Sequence, residues 1–277
     1  MLIVTLSSIP PRFSGIGETL QSLLAQSRRA DRILLYIPER YRRFPDWDGA
    51  LPAVPEGVEI RRAAQDLGPA TKILAAAQEF RGQDCDLVYC DDDRAYGRDW
   101  LRDFTRTRAR HPGCAIANLG FQAAEVVPVT GEGRLPGAAR RTWRITDLDF
   151  QARFLGREII AKLRRQPVQP PWRRVYKRSG YIDIAEGCGG VMVRPEFFSE
   201  AFHDIPPVLW SVDDVWLSGM LWAGKVPIWL RGNQFPPRET PAHLQAALAG
   251  SVLDGADRDA ANRRCVEYFQ AHHGIWL

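Results

Sequence analysis

The stretch of this chain best suited to chemistry is Asp91-Asp92-Asp93, because the apolar run Leu87-Val88-Tyr89-Cys90 leads straight into three adjacent carboxylates. Three like charges side by side repel one another. A divalent cation at the strand end turns that repulsion into binding, since hard cations take carboxylate oxygens and share them with the phosphate oxygens of a substrate. The triplet therefore points to a metal-bridged nucleotide. The competing reading is a solvated acidic turn, with Asp91 or Asp92 capping a helix and Asp93 meeting its dipole.

Further candidates flank it. Asp66-Leu67-Gly68-Pro69-Ala70-Thr71-Lys72 sets a carboxylate and a lysine on either side of a tight turn. The carboxylate can accept from a base imide or a ribose hydroxyl while Lys72 neutralises a phosphate. Equally, Asp66 or Thr71 can cap the helix, with Lys72 as surface charge. Ser211-Val212-Asp213-Asp214 puts two acids at a helix start, where Ser211 and Asp214 fit the acidic form of a capping box. The functional alternative is a general base: a carboxylate takes the proton of an attacking hydroxyl, and like-charged Asp213 raises its proton affinity.

The glycines of Glu186-Gly187-Cys188-Gly189-Gly190 permit close backbone approach to a ligand or positive φ. This loop precedes a strand and has no Walker lysine, so it is a poor phosphate loop. Gly15-Ile16-Gly17 lacks the third glycine of a dinucleotide fingerprint, Leu20 standing in its place, which argues against a Rossmann dehydrogenase. His203, His243, His272 and His273 show no HxxxH spacing; His243, in the loop after Pro236-Pro237, is the best placed of them to ligate a metal.

The elements that must position these residues follow from hydrophobic periodicity. Apolar strands are expected over 2–6, 32–37, 58–61, 87–90, 114–118 and 182–184, with a further strand from Val191. Helices are expected around 16–24 (Ile16, Leu20, Leu23 and Leu24 on one face), 72–80, 100–110, 210–222 and 257–273. Continuous apolar strands alternating with helices imply a mostly parallel sheet buried on both faces. Ligands of such sheets gather beyond the carboxyl ends of the strands, so the loops holding Arg12, Asp66 and the triplet should face one crevice.

Composition sets the bounds. The 277 residues are 45% hydrophobic and 25% charged, ordinary values for a folded chain with a substantial core. A net charge of +4 is too small to imply nucleic-acid binding, and no nucleic-acid partner is expected. The segment 134–178 concentrates the positive charge and interleaves it with Trp143, Phe150, Phe154, Trp172 and Tyr176. It suits an anionic acceptor or peripheral contact with anionic lipid headgroups, or simply a solvated helix and loop. Five cysteines without a CxxC pair argue against a zinc knuckle or disulfide framework, and a cytoplasmic setting is expected. The N-terminal run reads as a strand rather than a signal peptide, and no apolar run approaches membrane-spanning length.

With these residues in hand, the chain resembles glycosyltransferases of the GT-A fold, similar to family 2 and its bacterial relatives, over roughly 1–120 and 180–230. The resemblance implies an α/β fold with a mostly parallel central sheet flanked by helices. It implies one domain over 1–277: a nucleotide-binding half at 1–120, a basic aromatic insertion at 134–178, and an acceptor-side half with a C-terminal helix at 180–277. In that family an Asp-x-Asp motif ends the fourth strand and holds Mn²⁺ or Mg²⁺ against the donor diphosphate. This casts Asp93 and Asp91, with His243, as metal ligands, and Asp91 and Asp92 as donor contacts. Ser7, Pro10, Arg12, Asp66, Gly68 and Lys72 would also bind the donor, and Gly187, Gly189 and Gly190 would line the sugar or acceptor pocket. Asp213-Asp214 resembles the acidic pair whose second member is the base of inverting enzymes. The implied activity is metal-dependent transfer of a sugar from a nucleotide-diphosphate donor, UDP-sugar foremost, to a hydroxyl of a glycan or other acceptor. Two alternatives are a non-catalytic module binding sugar nucleotides or polyanions, and a nucleotidyltransferase. The latter usually carries a glycine- and Arg/Lys-rich loop after the first strand, which 7–12 is not.

Overall fold

A computed structural model describes residues 1–131, 135–143, 145–246 and 257–277. Arg134 and Arg144 of the basic segment lie outside the described residues.

The central sheet is formed by β1 (Leu2–Ser7), β2 (Arg32–Pro38), β3 (Glu59–Ala63), β4 (Asp86–Tyr89), β5 (Ala115–Ala117), β6 (Gly180–Tyr181), β7 (Val191–Val193) and β8 (Ile228–Leu230). Its order is β6-β8-β5-β7-β4-β1-β2-β3. The β3-β2-β1-β4 half is parallel throughout, β7 runs antiparallel to both β4 and β5, β8 is parallel to β5, and β6 is antiparallel to β8. The mostly parallel, helix-flanked α/β sheet expected from the sequence is present.

Strand alternation explains the unbroken apolar runs. Ile3, Leu34 and Tyr36 feed the core on one face, while Leu2, Val4, Leu6, Ile33, Leu35 and Ile37 feed the core on the other. Helices cover both faces, so neither set of side chains meets water. α1 (Gly17–Leu24) and α3 (Trp100–Arg108) seal one face with Leu20, Leu23, Leu101 and Phe104. α2 (Thr71–Glu79), α5 (Asp213–Ala223) and α6 (Arg258–His273) seal the other with Ile73, Trp216, Leu221, Val266 and Phe269. α4 (Leu148–Arg164) lies in the basic segment and buries only Phe150 and Ala161.

Two expectations are corrected. The strand anticipated over 182–184 is divided: Gly180–Tyr181 joins the main sheet, and Ile184–Ala185 pairs with Gly120–Phe121 in a small ladder. Between them the Asp183 carboxylate accepts the Ala123 N–H, a local bond that competes with strand continuation. The helix anticipated from 210 begins at Asp213, because the prolines ahead of it set the 3₁₀ turn Pro207–Leu209.

Candidate functional site

The carboxyl ends of β1 and β4, the start of α2, the start of α5 and the first turn of α6 surround a cavity of about 350 Å³. Ser7, Arg12, Asp66, Gly68, Lys72, Asp91, Asp92, Asp93, Asp213, Asp214 and His243 all line it. Pro10, Gly187, Gly189 and Gly190 do not line it.

Lys72 is the hub. It is buried, and its Nζ stands 2.6 Å from Asp91 Oδ1 and 2.9 Å from Asp213 Oδ2, so one ammonium ties the acidic triplet to the acidic pair. The first contact is an aligned hydrogen bond, whereas Asp213 Oδ2 has no aligned donor and meets the lysine as an ion pair. Burial works against the Lys72 charge, but Asp213, Asp91 and Asp214 outweigh it and raise the pKa well above the usual lysine range. Burial likewise works to raise Asp91, and here Lys72 prevails and lowers it.

The other members of the triplet are bound to neighbouring loops. Asp92 accepts Ser8 Oγ–H at 2.5 Å and Arg12 Nη1 at 2.6 Å, and its backbone carbonyl accepts Thr19 Oγ–H at 2.8 Å. Its carboxylate straps the loop after β1 to the acidic turn. Burial nevertheless leaves its pKa raised despite Arg12 and Ser8. Asp93 lies 3.2 Å from Arg12 Nη1, 3.3 Å from Arg94 Nε and 3.3 Å from His243 Nδ1. A ladder between Arg94–Ala95 and Arg238–Glu239 draws the distant chain in, and the Thr240 N–H donates to the Asp93 carbonyl at 3.0 Å. His243 follows within the same turn.

The acidic pair behaves differently. Ser211 and Asp214 form no capping box: Val212 is the N-cap, without a side-chain cap bond. Asp214 Oδ1 instead accepts the Gly187 N–H at 2.8 Å, and Oδ2 lies 3.7 Å from Arg258 Nη2. Burial, then the repulsion of Asp213, raises the Asp214 pKa from 3.8 to about 8. A carboxylate of that basicity at a cavity wall is suited to accept a proton near neutral pH.

The glycine-rich loop serves this arrangement from behind. A Cβ on Gly187 would stand 2.6 Å from Lys72 Nζ, so glycine is what lets the lysine lie against the loop. Gly189 and Gly190 are structural: the Gly189 carbonyl accepts Trp100 Nε1–H and Asn118 Nδ2–H, and Gly190, at φ +86°, leaves no room for a Cβ against the Trp100 ring. Asp66 also has a structural task, accepting the N–H groups of Arg42 and Gly68 on its two oxygens. Each oxygen keeps a second lone pair for a ligand.

Several lining residues were missed in the sequence: Tyr41, Phe44, Arg94, Glu186, Trp210 and Arg258 among them. Arg94 adjoins the triplet and carried a local signal. Arg258 carried none, since only packing of α6 on α5 brings it in. The Phe269 ring lies where a Cβ of Gly219 would be, so the two helices approach closely. At Arg258 burial works against the charge, and Asp214, Asp213 and Asp91 overcome it to raise the pKa.

The donor set was tested for a divalent ion. Seven carboxylates and five cationic side chains line the cavity, a formal excess of two negative charges with His243 neutral. Asp93 Oδ1 is buried without a hydrogen-bond partner, and His243 Nδ1 adjoins the other oxygen. Carboxylate oxygens suit Mn²⁺ or Mg²⁺. Among the described residues no three His, Cys, Asp or Glu side chains form a closed metal cluster. Asp93 and His243 are the two adjacent donors that could hold such an ion.

No family model and no curated protein matches the sequence. Similar solved structures include GalNAc-T7 with UDP, GalNAc and Mn²⁺, at 14% identity and a TM-score of 0.48 over 83% of this chain. The match spans 42% of that longer chain, about two fifths of its length. S. aureus TarS is similar at 12% identity and a TM-score of 0.44, over 98% of this chain and 73% of a 1–349 fragment, or 99% and 44% in a longer structure. At these scores the likeness carries no weight for the site, whose chemistry rests on its own distances. The α/β architecture expected from the sequence is the architecture found: a parallel half ending in the acidic turn after β4, with antiparallel β7 beyond it.

Proposed function

We propose that this protein is a glycosyltransferase that moves a sugar from a nucleoside diphosphate, UDP foremost, to a hydroxyl acceptor with inversion at the anomeric carbon. The observation that carries the reading is that the acidic turn after β4 and the acidic start of α5 face one cavity across a single buried lysine.

The walls divide by chemistry. Pro38, Tyr41, Phe44, Asp66 and Trp210 offer an apolar, aromatic wall with a carboxylate, suited to a nucleobase, while Arg12, Lys72, Arg94 and Arg258 supply positive charge suited to phosphates. Asp93 and His243, with Asp91, are the groups to hold Mn²⁺ or Mg²⁺; an ion there supplies positive charge against the diphosphate oxygens. Asp92 acts indirectly by fixing Ser8 and Arg12.

Asp214 takes the proton of the acceptor hydroxyl as its oxygen bonds to the anomeric carbon, and the bond from that carbon to the diphosphate breaks with its electron pair leaving on phosphate. Arg258 and Lys72 stabilise the charge that develops on the leaving group. Lys72 also fixes Asp213, which keeps the Asp214 carboxyl basic. The Gly187 N–H orients Asp214 by holding one oxygen.

Incubation with Mn²⁺ and a panel of UDP-sugars without acceptor tests this reading. Slow release of UDP and free sugar is expected. If the panel is neither bound nor cleaved, the proposal is wrong.

A further inference from the structure

The basic segment carries a surface that the cavity chemistry leaves unused. α4 is apolar on two sides. Phe150 and Ala161 are buried, whereas Leu148, Leu155, Ile159 and Leu163 are 80%, 57%, 53% and 79% exposed. At i, i+7, i+11 and i+15 these four fall within one stripe about 80° wide, on the opposite side of the helix from the buried pair. Trp143 and Ile145, just ahead of the helix, are 75% and 83% exposed. Isolated exposed apolar residues are ordinary, but a stripe about four turns long with two further large side chains at its start is not.

Charge identifies what covers it. Segment 134–178 holds thirteen basic residues against three acidic ones, while the rest of the chain holds six more acidic than basic. Arg157, Lys162, Arg164 and Arg165 are exposed on α4 and its C-cap, as are Lys177 and Arg178 nearby in the chain.

We infer that this face docks onto a bilayer surface rich in anionic lipid. The stripe enters the headgroup boundary, Lys162 at its edge meets lipid phosphates, and the net positive charge of the segment draws it to the anionic surface. A second copy docking through the same face would set two strongly positive segments against each other, which the charge pattern opposes. The inference stands on α4 alone and does not depend on the sugar-transfer reading.

Flotation of the full chain with phosphatidylglycerol-containing or pure phosphatidylcholine vesicles tests it, with cleavage of free UDP-sugar measured in parallel. Binding is expected to the anionic vesicles only, to weaken with salt, and to blue-shift the tryptophan emission. L155E/I159E should reduce the bound fraction about tenfold or more. Both residues are exposed and outside the cavity, so its unfolding temperature and its cleavage of soluble donor should match the unmodified chain. Failure of the folded protein to bind anionic vesicles overturns the inference. So does binding that L155E/I159E leaves unchanged, which would mean adsorption by charge alone. A dimer in analytical ultracentrifugation that L155E/I159E dissociates would assign the face to a second copy, and also overturns it.

Discussion

Two clusters of aspartates meet in the cavity, and Asp91 of one and Asp214 of the other end in opposite electrostatic states. After β4 each carboxylate has a cationic partner: Lys72 for Asp91, Arg12 for Asp92, and Arg12 and Arg94 for Asp93. At the start of α5, Asp213 shares Lys72, while Asp214 has a backbone N–H and an arginine no closer than 3.7 Å. Burial is common to both clusters. It is overcome at Asp91, whose pKa is lowered, and prevails at Asp214, whose pKa climbs to about 8. Neighbours rather than residue type decide which carboxylate holds charge for a ligand and which is ready to take a proton.

The sharpest way to break this comparison is at Asp214. Asp214→Asn should lower kcat by about 10²- to 10⁴-fold, the usual scale for losing a general base. Calorimetric affinity for UDP with Mn²⁺ should stay within about twofold. Parallel loss of turnover and binding would mean that Asp214 holds the site together rather than moving a proton. Lys72→Met comes next, because it leaves buried Asp213 and half-buried Asp91 without their shared cation. Denaturant unfolding should show a loss of roughly 3–5 kcal/mol, as for a broken buried ion pair. An unchanged midpoint would show that the lysine is not the joint between the clusters.

Titration sharpens the contrast. Only the ionised Asp214 can accept a proton, so kcat should rise with pH through about 8 and level off above. Stability should move the other way. A carboxyl raised from 3.8 to about 8 on folding favours the folded state when protonated, a contribution complete below the lower value and lost as pH rises through the upper one. Asp214→Asn should flatten both profiles across that window, and a persisting limb would assign the titration elsewhere. The smallest effect is expected at Arg258. Arg258→Gln removes one phosphate-facing cation and should weaken UDP binding roughly tenfold, with the fold intact by circular dichroism.

What the sequence disclosed tracks what is local. Strands β1, β2 and β4 were legible because burial on both faces demands unbroken apolar runs, and the triplet was legible because it follows one of them. The start of α5 was misplaced because a proline-set 3₁₀ turn precedes it, and the capping box dissolved because Gly187, remote in sequence, offered Asp214 a better donor. His243 was a weak candidate on spacing alone, since it reaches Asp93 across 150 residues through a two-residue ladder. Arg258 was invisible for the same reason: its place is set by the contact of Phe269 with Gly219, a tertiary fact with no local pattern.

The proposal turns on a divalent ion that Asp93, His243 and Asp91 would hold, supplying positive charge to a nucleoside diphosphate. Isothermal titration of UDP into the protein with Mn²⁺, then after chelation, tests it most directly. Binding is expected only with the ion, and Asp93→Ala should remove that dependence along with most of the affinity. UDP binding of equal strength in the chelated protein would contradict it.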